Sequence, residues 1–231
     1  MTNTPLGVLE GRTFDAVLFD LDGTLISSIP AVERSWRKWA ELEGVDLADL
    51  ETLHGVPSRQ IVASLVPPER VEDSVRVIDD LELQDTDGVI VLPGAAEALK
   101  TLLVPVAGAE RQWAAIATSC SRALAAVRIK SAGISRPDLV VTSTDVTKGK
   151  PDPEPYLLAA QRLGVKAANC LVVEDAPAGV SAGRLAGAST LAVRTSSSAQ
   201  QLAEADAVVD DLGSVAFVLD DAGVRVRSAV R

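Results

Sequence analysis

The chain has 231 residues, with 32 acidic against 22 basic side chains and a formal net charge of −10. That balance argues against a nucleic-acid backbone or an anionic membrane surface as its main partner. Hydrophobic residues make up 47% and charged residues 23%, enough to bury a core and too apolar for a disordered chain. Residues 14–20 read as a short buried strand that stops abruptly at FDLDGT, residues 19–24. Residues 30–44 read as a helix, because Pro30 suits a first turn and Val32, Trp36, Trp39 and Ala40 recur at helical spacing. Helical patterns and turns continue to about residue 91 with little strand signal, broken at Pro67-Pro68 and closed at Pro93-Gly94. Residues 29–92 are therefore expected to be a helical insert, with 1–28 and 93–231 forming the main domain.

From there the pattern alternates. Residues 95–103 read as a helix, 113–118 as a strand, 122–132 as a helix, 139–141 as a strand and 154–163 as a helix. A strand at 170–173, a helix at 178–186 and strands at 190–193 and 207–209 complete the series. Short unbroken apolar strands between helices predict an α/β fold with a doubly wound parallel sheet covered on both faces. Residues 196–198 read as a surface loop and 223–231 as a weakly held basic tail. The two cysteines, Cys120 and Cys170, are too few for a disulfide framework. The start MTNTPLGVLEGR lacks the basic-then-apolar order of a signal peptide, and no apolar run approaches a membrane span. A soluble cytoplasmic monomer, with no nucleic acid or membrane partner, is the expectation.

The chemistry-bearing residues sit at or near strand ends. Asp20 and Asp22 follow the first strand of the series, Thr118 and Ser119 the strand after the insert, and Glu174 and Asp175 the strand at 170–173. Lys150 lies in TKGKPDPEPY, residues 147–156, after the strand at 139–141. Each has an ordinary reading as well: Asp-Gly as a turn, Thr-Ser as a helix cap, Lys150-Pro151 as a solvated loop, Glu174-Asp175 as an acidic helix cap. In a parallel sheet, however, these ends share one edge. Four carboxylates gathered there repel unless a hard divalent cation and the lysine compensate them. Such a set suits phosphoryl transfer, where positioning and charge neutralisation dominate.

FDLDGTL, ATS, KGKPDPEPY and VVEDAPAG match, in order, four motifs of the haloacid dehalogenase superfamily, which the chain resembles from about residue 14 to about 210. Residues 29–92 resemble the helical cap of its first cap class. Within that superfamily the chain is most similar to bacterial sugar-phosphate and polyol-phosphate phosphatases, through IPAVERSWRKWAELEG, the HG at 54–55, KPDPEPYLLAAQRLG and VVEDAPAGVSAG. The resemblance implies a Rossmann-like core and a Mg²⁺-dependent phosphatase acting on a small phosphorylated metabolite. It implies Asp20 as nucleophile, Asp22 as general acid and base, and Thr118, Ser119 and Lys150 around the phosphoryl group. It implies a metal held by Asp20, the backbone carbonyl of Asp22, and Asp175, with Glu174 as a ligand or backing acid. In the cap, His54 and Arg59 of HGVPSR are expected to meet the substrate, while Trp36 and Trp39 are expected to pack the cap.

Two departures qualify the likeness. Ser27, in DGTLISS, stands where members often carry Asp, and Cys120 follows the phosphate loop as a small filler. Two other functions compete. Sugar-phosphate mutases of this build carry a histidine early in the cap, at the position of Val32 here, so hydrolysis is favoured. A signalling receiver domain also uses acids, a hydroxyl and a lysine, but its acidic pair comes near the start and it lacks the 29–92 insert.

Overall fold

The structure, a computed structural model, describes residues 6–46, 58–104 and 112–229. Strand β1 (Ala16–Phe19) is buried at every position. Its side chains alternate: Val17 and Phe19 enter one apolar layer, Ala16 and Leu18 the other. A strand sandwiched this way has no polar face, which is why it reads as an unbroken apolar run.

A short strand β2 (Ile26–Ser27) then leads into helix α1 (Ile29–Glu43), and helices α2 (Ser58–Leu65) and α3 (Val71–Gln84) follow. The chain returns through β3 (Ile90–Val91), which pairs antiparallel with β2. This two-rung ribbon is an element that the sequence did not suggest, because two residues per strand carry no periodicity. The three helices have an apolar cluster of their own, built on Trp36, Trp39, Ile61, Val62 and Ile78. Trp36 and Trp39 meet edge to face at 5.2 Å, and the Trp39 indole donates to Ser74 Oγ at 2.9 Å.

Helix α4 (Ala95–Leu102), β4 (Ala114–Ala117), α5 (Arg122–Ala132), β5 (Val140–Val141) and α6 (Glu154–Arg162) come next. They are followed by β6 (Cys170–Glu174), α7 (Pro177–Leu185), β7 (Ser189–Val193) and β8 (Ala207–Val209). The six longer-range strands form one parallel sheet in the order β5-β4-β1-β6-β7-β8. α4 and α5 cover the Phe19 face, and α6 and α7 the Leu18 face. The result is the doubly wound α/β architecture expected from the alternation, and the Rossmann-like core that the resemblance implies.

Strand order reverses direction around β1. The chain runs outward through β4 and β5, then crosses to β6 and runs outward the other way through β7 and β8. The crevice beyond the carboxyl ends of β4, β1 and β6 is the switch point where open α/β sheets bind ligands.

The end of the chain is not a loose tail. β9 (Val215–Asp220) and β10 (Gly223–Ser228) form an antiparallel hairpin, with Val224 and Val226 fully buried. Val224 also bridges to Phe14. Val224 and Val226 alternate with Arg225 and Arg227, so the basic residues are the outward half of a strand. Among the described residues, no helix is long and apolar enough to cross a membrane.

Candidate active site at the carboxyl ends of β1, β4 and β6

Asp20 follows β1 directly, and its backbone N–H donates to the carbonyl of Val173 on β6 at 2.9 Å. Sheet hydrogen bonding therefore sets where this carboxylate stands relative to Glu174 and Asp175, the residues that end and follow β6. All three are buried, at 7%, 1% and 4% exposure. Their oxygens lie within 4.8 Å of one another.

Lys150 reaches across from the loop before α6. Its ammonium lies 2.5 Å from Asp20 Oδ1 and 2.6 Å from Glu174 Oε1, and it sits 5.0 Å from the centre of the Tyr156 ring. The Tyr156 hydroxyl donates to the same Glu174 oxygen at 2.6 Å. Glu174 Oε2 accepts from the backbone N–H groups of Asp175, at 3.1 Å, and Ala176, at 3.3 Å. Both oxygens of Glu174 thus already accept two bonds. Gly179, in the first turns of α7, gives this carboxylate its room: a Cβ there would lie 1.7 Å from Glu174 Oε1.

Asp175 is gripped from two loops. Thr24 Oγ1 donates to its Oδ1 at 3.1 Å, and Ser196 Oγ donates to its Oδ2. Gly23 adopts φ +90, a left-handed backbone that side chains disfavour, and a Cβ there would lie 2.0 Å from Asp175 Oδ2. The glycine of FDLDGT is therefore required both for the turn and for the approach of the acid behind it. Ser196 lies in the exposed loop expected from the sequence, and its hydroxyl reaches this acid from there.

The electrostatics follow from burial. Burial raises the Asp20 carboxyl well above its usual range, and Glu174 and Asp175 add to that rise against the pull of Lys150. Burial, then the charge of Glu174, push Asp175 up to about 7. Burial works against the Lys150 charge, but Asp20 and Glu174 outweigh it and hold the ammonium firmly protonated. Three carboxylates facing one ammonium form an all-oxygen, net-negative donor set, the chemistry that suits a hard divalent cation.

Thr118 ends the site's other side, after β4. It is 4% exposed, donates its N–H to Val141 O at 2.9 Å, and accepts the Cys120 N–H on its hydroxyl at 3.1 Å. Ser119 beside it is exposed. Asp22 is bonded away from the acid cluster. Its Oδ2 accepts from the Cys120 thiol at 3.0 Å, and its Oδ1 lies 3.1 Å from Arg128 Nη1. Cys120, expected as a filler, is a hydrogen-bonding partner of an acid.

The structure thus gathers Asp20, Lys150, Glu174 and Asp175 tightly, with Thr118 on the neighbouring strand end. Arg59 stands apart: it makes a bidentate pair with Glu72, at 2.6 and 2.7 Å, on an exposed face of α2 and α3. His54 lies outside the described residues. Sequence reasoning passed over Tyr156, Ser196, Glu82 and Arg128. The signal for the last two was present, since a charged residue on the apolar stripe of a helix needs a partner.

A model of the haloacid dehalogenase-like hydrolases matches residues 14–187. The chain is 40% identical to hexitol phosphatase A of Escherichia coli over 204 residues, 86% of this chain and 91% of that protein. It is 35% identical to 2-deoxyglucose-6-phosphate phosphatase 2 of Saccharomyces cerevisiae over 223 residues, 88% of this chain and 90% of that one. Among solved structures, a hydrolase from Pseudomonas syringae superposes with a TM-score of 0.73 at 28% identity, covering 86% of this chain and 94% of that one.

Proposed function

The chain belongs to the haloacid dehalogenase-like hydrolases, and from that premise we propose that it is a Mg²⁺-dependent phosphatase of small phosphorylated sugars or polyols. The names of the hexitol and deoxyglucose phosphatases support that substrate class. The observation that carries the reading is Lys150 bridging Asp20 and Glu174 beside Asp175, at the switch point of the sheet.

Asp20 is the nucleophile. Its carboxylate attacks phosphorus, an acyl–phosphate bond forms, and the bond from phosphorus to the sugar oxygen breaks. Asp22 donates a proton to the departing alkoxide, then takes one from the water that attacks the aspartyl phosphate. That second step frees inorganic phosphate and restores Asp20. Thr118 and Ser119 hold the transferring group's oxygens, and Lys150 keeps Asp20 in line. Asp20, Asp175 and the backbone carbonyl of Asp22 would hold Mg²⁺. Glu174 joins them as a direct ligand only by giving up one of its present bonds. When bound, the cation neutralises the acids and draws charge from the phosphoryl oxygens. The helices of residues 29–92 form a cap over the crevice, on a main domain of 1–28 and 93–231.

The test is a panel of phosphorylated hexoses, pentoses and polyols, assayed for released phosphate with and without Mg²⁺. Turnover of several members that disappears in EDTA is the expected result. Absence of Mg²⁺-dependent release from every ester would overturn the proposal.

A further inference from the structure

Arg128 lies midway along α5 at 5% exposure, on the same buried stripe as Leu124, Ala125 and Ile129. A guanidinium on an apolar stripe must find acceptors, because an unpaired buried charge is costly. Nη1 lies 3.1 Å from Asp22 Oδ1 and 3.2 Å from Cys120 Sγ. Nη2 lies 3.3 Å from Oε2 of Glu82, a residue of α3 that is itself 7% exposed. Glu82 occupies the buried stripe of α3 with Ser74 and Ile78. One buried side chain therefore joins an acid of the β1 loop to an acid of the inserted helices.

We propose that Arg128 is a positioning residue for Asp22, and that its grip on Glu82 makes the direction of the Asp22 carboxylate depend on how the inserted helices are seated. This rests on the phosphatase reading above. Among the described residues, the hydrogen-bonding and ion-pair partners of the Asp22 carboxylate are Cys120 and Arg128, both on the β4–α5 side. The Arg128 contact is one of charge, since Asp22 Oδ1 and Arg128 Nε lack aligned hydrogen bonds. Such a contact draws the carboxylate toward α5 without the geometric rigidity of a bidentate pair. A shift of α3 that draws Glu82 away moves the guanidinium, and with it the carboxylate that must meet the leaving oxygen. Seating of the inserted helices and readiness for proton transfer are then one event.

The experiment uses two esters. A sugar phosphate expels a poor alkoxide that needs a proton donor, whereas p-nitrophenyl phosphate expels a stable phenolate that does not. Arg128→Met is expected to lower kcat/KM on the sugar phosphate about tenfold or more beyond its effect on the aryl ester, because kcat/KM reports the steps up to expulsion of the leaving group, where only the alkoxide needs the proton, and not the later water attack that both esters share. Glu82→Gln, which alters neither Arg128 nor Asp22 chemically, is expected to show the same selective loss, about threefold. Arg128→Lys, which keeps the charge, is expected to recover part of the alkyl rate. Equal losses of kcat/KM on both esters would sink the inference while leaving the phosphatase reading intact. Wild-type protein that turns over neither ester would sink that reading instead. Should Arg128→Met fail to fold, as judged by circular dichroism, Glu82→Gln and Arg128→Lys decide by the same ratio.

Discussion

The two sides of the site are built differently. The acids at the ends of β1 and β6 are placed by the sheet itself: Asp20 hangs on a backbone bond to Val173, and Glu174 and Asp175 are fixed by Lys150, Tyr156, Thr24 and Ser196. None of those partners comes from the inserted helices. Asp22 is placed by a longer-range arrangement, through Cys120 and Arg128 to Glu82 on α3. The group proposed to attack phosphorus is thus held independently of the insert, and the group proposed to move protons is tied to it. The contrast separates a fixed half, proposed to bind and react, from a conditional half, proposed to time the reaction.

The largest effect expected is on the fixed half. Asp20→Asn should cost about 10³-fold or more in kcat, since a residue that forms the covalent bond has no substitute. Its fold should survive, because the amide retains the shape of the side chain. Near-normal phosphate release would remove Asp20 as nucleophile and dissolve the comparison.

Next in size is a strike at the packing of that half. Gly179→Ala puts a methyl into the space of Glu174 and should destabilise the protein by about 1–3 kcal/mol, as overpacked cores do. At this chain length that is roughly 3–10 °C in Tm, and activity should fall as Glu174 is forced off Lys150. A variant with unchanged melting and turnover would mean that the Glu174 pocket is looser than the close contacts describe.

The charge of the fixed half gives a third check. Asp175 titrates near 7 in the folded chain through burial and the charge of Glu174, against about 3.9 when unfolded, and Asp20 shifts in the same direction. Between these pH values the folded chain retains protons that the unfolded chain has lost. The contribution is therefore fully present below about pH 4 and is lost as pH rises through about 7. Melting in EDTA should fall from pH 5 to pH 8. Mg²⁺ at about 100 times its Kd should restore roughly 2.7 kcal/mol at the higher pH and clearly less at the lower. Equal stabilisation at both would argue that the cation binds somewhere other than this cluster.

The smallest effect is expected at an exposed pair on the surface of the inserted helices. Arg59→Ala removes an exposed pair with Glu72 and should move Tm by less than about 2 °C. A rise in KM for sugar phosphates without a change in Tm would show that the guanidinium leaves Glu72 to meet the substrate.

Much of this was legible in the chain. FDLDGT and VVEDAPAG end apolar runs at acids, and a parallel sheet leaves few places for strand ends except one edge. The terminal hairpin was legible too, in the alternation of Val224 and Val226 with Arg225 and Arg227, but net basicity drew the eye to a tail. The ribbon of β2 and β3 is too short to show a period. Arg128 and Glu82 were missed for a different reason. Charged residues on helices usually face water, and although each sits on a buried stripe, they are 46 residues apart, so neither reveals the other locally. Pairing across that distance is a property of how the inserted helices dock on α5, which no local pattern encodes.

The ribbon has one further consequence. Because Ile26–Ser27 and Ile90–Val91 lie side by side, everything between them departs from and re-enters the sheet at one doorway. A different module could be spliced in at that doorway without rethreading any strand, so the proposed cap could change while the proposed chemistry of the main domain stays the same. The condition is that each newcomer bring its own acid to the guanidinium on α5, or do without the timing proposed for that acid.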